Sequence, residues 1–343
     1  MGKPIPVIIC DDSRLARKQM ERALSQWNLD ITHASQGLEA LEAIRAGKGE
    51  LLFLDLNMPL LDGYQVLERI RSQDLQTLTI VVSGDIQPEA HTRVRQLGAL
   101  DFIRKPIDVE QLGRSLRAFG LLEELQHKAT PLPATHPTDT PTVSGISSIE
   151  QTLMLTEHYQ ELANVAMGQA ANLLAQLLDT FVELPIPSIQ LIESCELEMA
   201  LQQSVSQPTM NTVRQGFIAP GISGEALLML SDTETSQLAS LLNHVGDITE
   251  QVERELTLDI ANVLIGAFLN GLGQQLDLAF SQSSPQVLEF LPGHSQMVNT
   301  GQPDRILSID ISYRIEGLAI SCDLLLLFTE DSLPTLNELA SHL

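Results

Sequence analysis

Apolar and polar positions along the 343 residues are arranged in two regimes. In the first third, four short strand-like runs at residues 7–10, 51–54, 79–82 and 101–104 are each closed by polar or turn-forming residues. Stretches of helical spacing lie between them, the first ending at Leu24. Short apolar runs without alternation suit strands covered by helices on both faces, which is the situation in parallel sheets. The expected architecture is α/β, a doubly wound five-stranded parallel sheet.

The second half changes period. Residues 152–179 have helical spacing, a strand follows near 189–198, a hairpin near 211–231 turns at Pro220-Gly221, and a helix is expected near 233–244. The same series then recurs as a helix at 249–276, a hairpin near 305–328 turning at Glu316-Gly317, and a helix at 331–342. This predicts an α+β domain built from an internal duplication. Residues 128–148 are rich in Pro, Thr and Ser and read as a linker, which would span up to about 60 Å if polyproline-like. The domains are therefore expected at 1–127 and 149–343, the latter with repeats at about 150–247 and 248–343.

The duplication carries a motif. Glu157, Glu161, Asn164 and Pro187 recur as Glu255, Asp259, Asn262 and Pro285, each displaced by the 98 positions that separate Asn164 from Asn262. Both copies read acid-x3-acid-x2-Asn-x22-Pro. At 3.6 residues per turn the two acids, the Asn and Gly168 share one stripe, and Leu155, Leu162, Ala166, Leu173, Leu174, Leu177 and Leu178 take the other side. The carboxylate and amide are expected to point together into solvent. A solvated helix face explains one such copy well and two badly. Pro187 and Pro285 need do no more than fix the backbone where a strand begins. Gly168 and Gly266 suit either helix packing or clearance for a partner's backbone.

In the first domain the polar residues collect at strand ends. Asp11 and Asp12 follow the first run, Asp55 the second, Ser83 closes the third, and Lys105 follows the last. The carboxyl edge of a parallel sheet is where α/β folds place their sites. Singly, Asp11 and Asp12 could cap a helix and Ser83 belong to a turn. Together the three acids supply the oxygen ligands that Mg²⁺ prefers, and the ion would neutralise a phosphoryl group on Asp55.

Charge and cysteine usage narrow the partners. Residues 1–127 hold 15 Lys/Arg and 18 Asp/Glu, whereas residues 149–343 hold 4 and 25, a net −21. Such an acidic half is repelled by phosphate backbones, so no nucleic-acid partner is expected. Cys10, Cys195 and Cys322 show no metal-ligand spacing and read as buried thiols, which favours a cytoplasmic location. No apolar run of membrane-spanning length and no membrane partner are expected.

Residues 1 to about 125 resemble the response-regulator (CheY-like) receiver domain at every one of these positions. The resemblance makes Asp55 the phosphoacceptor, filled by a histidine kinase of CheA-like type. It makes Ser83 and Lys105 the phosphoryl contacts and Phe102 the aromatic switch. Mg²⁺ would be held by Asp11, Asp12, Asp55 and the backbone carbonyl of Asn57. Residues 150–343 resemble the CheC/CheX family of chemotaxis phosphatases, which hydrolyse phospho-aspartate on CheY-like receivers. That resemblance makes Glu161 and Asn164, and Asp259 and Asn262, the catalytic residues. The acid would hold the target's lysine and the Asn would orient the attacking water, with no cofactor in the phosphatase domain itself. Asp259 departs from the usual Glu, so the 161/164 site is expected to dominate.

These resemblances imply a chemotaxis response regulator whose second domain is an aspartyl-phosphate phosphatase, regulated by phosphorylation of Asp55. The basic face Arg14, Arg17, Lys18 and Arg22 is expected to rest against the acidic half and cover a motif helix. Two alternatives are a non-catalytic adaptor gated by the receiver, binding a chemotaxis or flagellar-switch partner, and a phosphate sink that discharges its own receiver.

Overall fold

The structure is a computed structural model that describes residues 4–118, 148–193, 210–231, 237–239, 241–242, 249–288, 305–318 and 320–341. Most of the linker, Cys195, and parts of the strand expected to reach 198 and of the helix expected at 233–244 lie outside the described residues. The chain divides into two compact units, Met1–Ser83 with His91–Glu161, and Gly84–Ala90 with Leu162–Leu343.

The first unit contains a five-stranded parallel sheet. Its strands are β1 (Ile5–Cys10), β2 (Leu29–Ala34), β3 (Leu51–Leu54), β4 (Leu78–Ser83) and β5 (Asp101–Arg104), in the order β2-β1-β3-β4-β5. The helices of this fold are α1 (Arg14–Leu24), α2 (Gly37–Arg45), α3 (Gly63–Ser72), α4 (Pro88–Gln96) and α5 (Val109–Ala118). Successive side chains of a strand leave opposite faces, and two cores result. Ile8, Cys10, Leu52, Leu54 and Val81 join one, while Val7, Ile9, Leu51, Phe53, Ile80 and Val82 join the other. Every residue of β3 is buried, as a central parallel strand requires. β1 has β2 on one side and β3 on the other, so the chain reverses its winding between β1 and β3 and leaves a crevice beyond their carboxyl ends.

The second unit is α+β. Its long helices are α6 (Ser148–Leu178), which this unit takes up from Leu162, and α7 (Glu250–Leu276). The hairpins are β8 (Met210–Ala219) with β9 (Ile222–Ser231), and β12 (Arg305–Ile315) with β13 (Ser321–Phe328). They turn at the expected sites, where Gly221 and Gly317 take φ of +72° and +74°. The chain ends in a 3-10 turn at Glu330–Ser332 and α8 (Leu333–Ser341).

The two repeats interlock. β9 and β13 pair antiparallel, and Leu227 lies opposite Leu325, its own equivalent at the 98-residue offset. The short strands β6 (Val182–Glu183) and β7 (Ser188–Glu193) of the first repeat pair with β12 of the second. In return β10 (Ser281–Gln282) and β11 (Gln286–Val287) of the second pair with β8 of the first. Pro187 and Pro285 stand immediately before β7 and β11, at the strand entries expected of them.

Three expectations are corrected. The motif stripe of α6 is not solvated, since Glu161 and Asn164 are 8% and 6% exposed, while Leu173 and Leu177 on the supposed core side are 45% and 40% exposed. α7 contains a stretch long and apolar enough by composition to cross a membrane, with a mean hydropathy of 1.5. Because 61% of that stretch is buried inside the protein, its apolar residues are accounted for as core. Arg17 faces inward, donating from Nη1 to the backbone oxygens of Asp11 and Asp12 at 2.6 and 3.1 Å.

Candidate functional site

β1 and β3 deliver their following residues into the crevice. Asp11 and Asp55 are 5% and 3% exposed, and with Asp12 they bring three carboxylate oxygens within 4.8 Å of one another. Local turns hold the side chains in place. Asp11 Oδ1 accepts from the Ser13 N–H at 2.8 Å, and Asp55 Oδ2 accepts from the Asn57 N–H at 2.9 Å. Neither Asp11 nor Asp12 caps α1; the cap is Ser13, whose Oγ accepts from the Ala16 N–H at 3.2 Å. Ser83, the last residue of β4, is 1% exposed. Phe102 on β5 meets His91 edge to face, with ring centroids 5.6 Å apart.

Lys105 is the centre of charge. Its Nζ lies 2.7 Å from Asp11 Oδ2, 3.2 Å from Asp55 Oδ1 and 3.4 Å from Glu161 Oε1. Within this unit, then, the first motif's acid meets the lysine of the acid crevice. Beside it, Gln160 Nε2 donates to Asp12 Oδ2 at 3.3 Å. Sequence reasoning missed Gln160 and the inward turn of Arg17, because neither amide nor guanidinium falls in a pattern that marks a partner.

Three buried carboxylates thus meet one buried ammonium, with the half-buried Asp12 beside them. Burial pushes the Asp55 carboxyl up to about 8, with Lys105 opposing and Asp11, Asp12 and Glu161 adding to the rise. Asp12 rises to about 6, again chiefly through burial. Glu161 is also raised, by burial first. For Lys105 burial opposes the charge, but Asp11, Asp55 and Glu161 outweigh it and lift its pKa well above the ordinary value. Asp12 Oδ1 and Glu161 Oε2 are buried with no hydrogen-bond partner among the described residues. An excess of close carboxylates with an unpartnered oxygen on Asp12 fits a small hard dication, and Asp11, Asp12 and Asp55 are the side chains that would hold Mg²⁺.

In the second unit the two motif copies differ in surroundings. Asn164 and Gly168 lie against Gly84 in the turn after β4, and a Cβ on Gly168 would run into the Gly84 carbonyl. Close backbone approach is the reason for glycine there. The same turn is tied to β6, since the Gln87 side chain donates to the Val182 carbonyl at 2.8 Å and accepts from the Val182 N–H at 2.9 Å. Asp259 and Asn262, by contrast, are exposed, as expected. A Cβ on Gly266 would meet nothing nearer than Gln282, at 3.8 Å.

The response regulator receiver domain family matches residues 7–117. This stretch is a response regulator receiver domain. The receiver matches response regulator MprA of Mycobacterium sp. (strain KMS) at 33% identity over 119 residues, 34% of this chain and 50% of that protein. It matches transcriptional regulatory protein TrcR of Mycobacterium tuberculosis at 32% over 132 residues, 38% and 50% of the two chains. The chain thus spans about half the length of these relatives. Among solved structures, the signal receiver domain of the NarL response regulator from Mycobacterium tuberculosis is 29% identical, with a TM-score of 0.32, over 34% of this chain and 96% of that one. FliY of Thermotoga maritima is 17% identical, with a TM-score of 0.42, over 57% of this chain and 98% of that one.

Proposed function

We propose that this chain is a response regulator, charged on Asp55 by a histidine kinase of CheA-like type, whose C-terminal half is a CheC-like phosphatase for aspartyl phosphate on CheY-like receivers. The observation that carries the reading is the 3.4 Å approach of Glu161 Oε1 to Lys105 Nζ. The acid of a motif that occurs twice meets a receiver's lysine, the contact such a phosphatase must make with its substrate.

In the reaction a water oxygen attacks phosphorus as the bond to the aspartyl oxygen breaks. The electron pair returns to the carboxylate, and the water's protons leave with inorganic phosphate and solvent. Asn164 or Asn262 orients the water, and Glu161 or Asp259 holds the target's lysine. Ser83 and Lys105 contact the phosphoryl oxygens when the receiver is this chain's own. Mg²⁺ bound at Asp11, Asp12 and Asp55 would supply charge neutralisation. The enzyme's part is positioning, worth on the order of 10²-fold for each well-placed group.

Phosphorylation of Asp55 then regulates the phosphatase, because adding a phosphoryl group beside Lys105 changes what Glu161 can pair with. A second reading, favoured by the same ion pair, is that phospho-Asp55 is itself discharged by the first motif. Comparing wild type with Asp55→Asn under a phosphodonor, with a separate phosphorylated receiver as substrate, measures regulation. The lifetime of phospho-Asp55 in Asn164→Ala measures discharge. A donor-dependent change in the first supports regulation; no change, with a lifetime roughly 10²-fold longer in the second, supports the sink.

A further inference from the structure

Two neighbouring residues of α6 address opposite charges in the acid crevice. Glu161 presents its carboxylate to Lys105 Nζ at 3.4 Å, and Gln160, one position earlier, donates from Nε2 to Asp12 Oδ2 at 3.3 Å. Both residues belong to the same compact unit as β1 and β3. Successive side chains leave a helix about 100° apart, so a single turn straddles the crevice and meets its cation on one side and its acid on the other. The three acids that would hold Mg²⁺ are each tied through one oxygen. Asp11 Oδ1 takes the Ser13 N–H and Asp55 Oδ2 takes the Asn57 N–H, both from two residues further on. For Asp12 the side-chain donor comes from 148 residues away, and it leaves Oδ1 buried without a hydrogen-bond partner among the described residues. The 98-residue offset carries Gln160 to Leu258, so the amide is a feature of the first motif copy and not of the repeated acid and Asn.

We infer that Gln160 is a positioning residue of the receiver's Mg²⁺ site, holding Asp12 by one oxygen so that the other is presented to the ion. A residue from beyond the receiver domain thereby completes a site whose ligands the receiver itself supplies. The inference rests on the fit of Asp11, Asp12 and Asp55 to Mg²⁺ and not on the phosphatase reading. Carboxylates that ligate a metal are themselves held by hydrogen bonds, and removing such a partner ordinarily costs about 10- to 100-fold in metal affinity. A carboxamide suits the task. It donates a hydrogen bond to the carboxylate without bringing a positive charge beside the dication, which a lysine or arginine at 160 would do. Coupling of this kind is reciprocal, so the ion strengthens the hold of Gln160 on Asp12 by the factor that Gln160 adds to the ion's affinity.

The test follows the melting temperature of the full chain against Mg²⁺ concentration at constant ionic strength. Stabilisation by a bound ion grows as RT ln(1 + [L]/Kd), so the titration reads the affinity of the folded protein. Gln160→Met keeps the length of the side chain and removes the donor, and it should raise the Kd for Mg²⁺ about tenfold. The same substitution in an Asp12→Asn background should change the response to Mg²⁺ by less than about twofold, because the carboxylate that Gln160 holds is gone. A contact that served folding alone would lower the melting temperature in chelator and leave the response to Mg²⁺ as it is in wild type. Unchanged or tighter Mg²⁺ binding in Gln160→Met overturns the inference, as does an equal loss of affinity in the two backgrounds. A wild-type chain whose melting temperature does not respond to Mg²⁺ also overturns it.

Discussion

Asp55 is 3% exposed among three other carboxylates, so ionising it in the folded protein is far harder than in the unfolded chain. Its carboxyl is raised to about 8, which means the folded state holds a proton that the unfolded state has released near pH 4. A raised carboxyl contributes stability that is fully present below the unfolded value and is lost as pH rises towards the folded one. In chelator, the melting temperature of the receiver should fall between pH 5 and pH 8. Saturating Mg²⁺ or Asp55→Asn should flatten that fall, and a melting temperature independent of pH in chelator would contradict the account. Gly168 and Gly266 make a second comparison at this scale. Gly→Ala within a helix ordinarily stabilises by about 0.5–1 kcal/mol. Gly266→Ala should realise that gain, whereas Gly168→Ala should lose more than it gains, because its Cβ would meet the Gly84 carbonyl. Denaturant midpoints that move equally in the two variants would count against the difference in packing.

At the scale of elements the swapped short strands matter most. β10 and β11 of the second repeat hydrogen-bond only to β8 of the first among the described strand pairings, and β6 and β7 only to β12. Residues 249–343 expressed alone should therefore remain unfolded or dimerise, by circular dichroism and gel filtration, while a folded monomer would sink the interlocked description. Much of this was legible in the sequence. Both hairpins turn at the Gly read as turn residues, and α6 and α7 cover the helices read from period. β2 was not located, because Leu29–Ala34 is an edge strand whose residues are mostly half-buried or exposed, which leaves no apolar run. β6 and β10 have two residues each, too few to show a period. The outward direction of Glu161 and Asn164 was misread for a different reason. A polar stripe on a helix looks the same whether water or a charged partner covers it, and Lys105 lies 56 residues earlier, invisible to helical spacing.

For the whole molecule, the receiver is established by residues spread across four strand ends that converge on one crevice, whereas the phosphatase reading rests on a motif, its repetition and one ion pair. The second half has four arginines scattered at 214, 254, 305 and 314 and no glycine-rich phosphate cradle in its sequence, so the proposed phosphatase requires a substrate that brings its own cation and lysine. The full chain should release nothing from a chromogenic phosphate monoester, and turnover there would point to a different hydrolase. The central claim is tested most directly by loading the full chain and an added CheY-like receiver with acetyl phosphate, removing the donor and following the decay of aspartyl phosphate. The account predicts that Asn164→Ala/Asn262→Ala slows the decay by on the order of 10²-fold, to the receivers' unassisted rate. Equal decay in wild type and the double variant would contradict it.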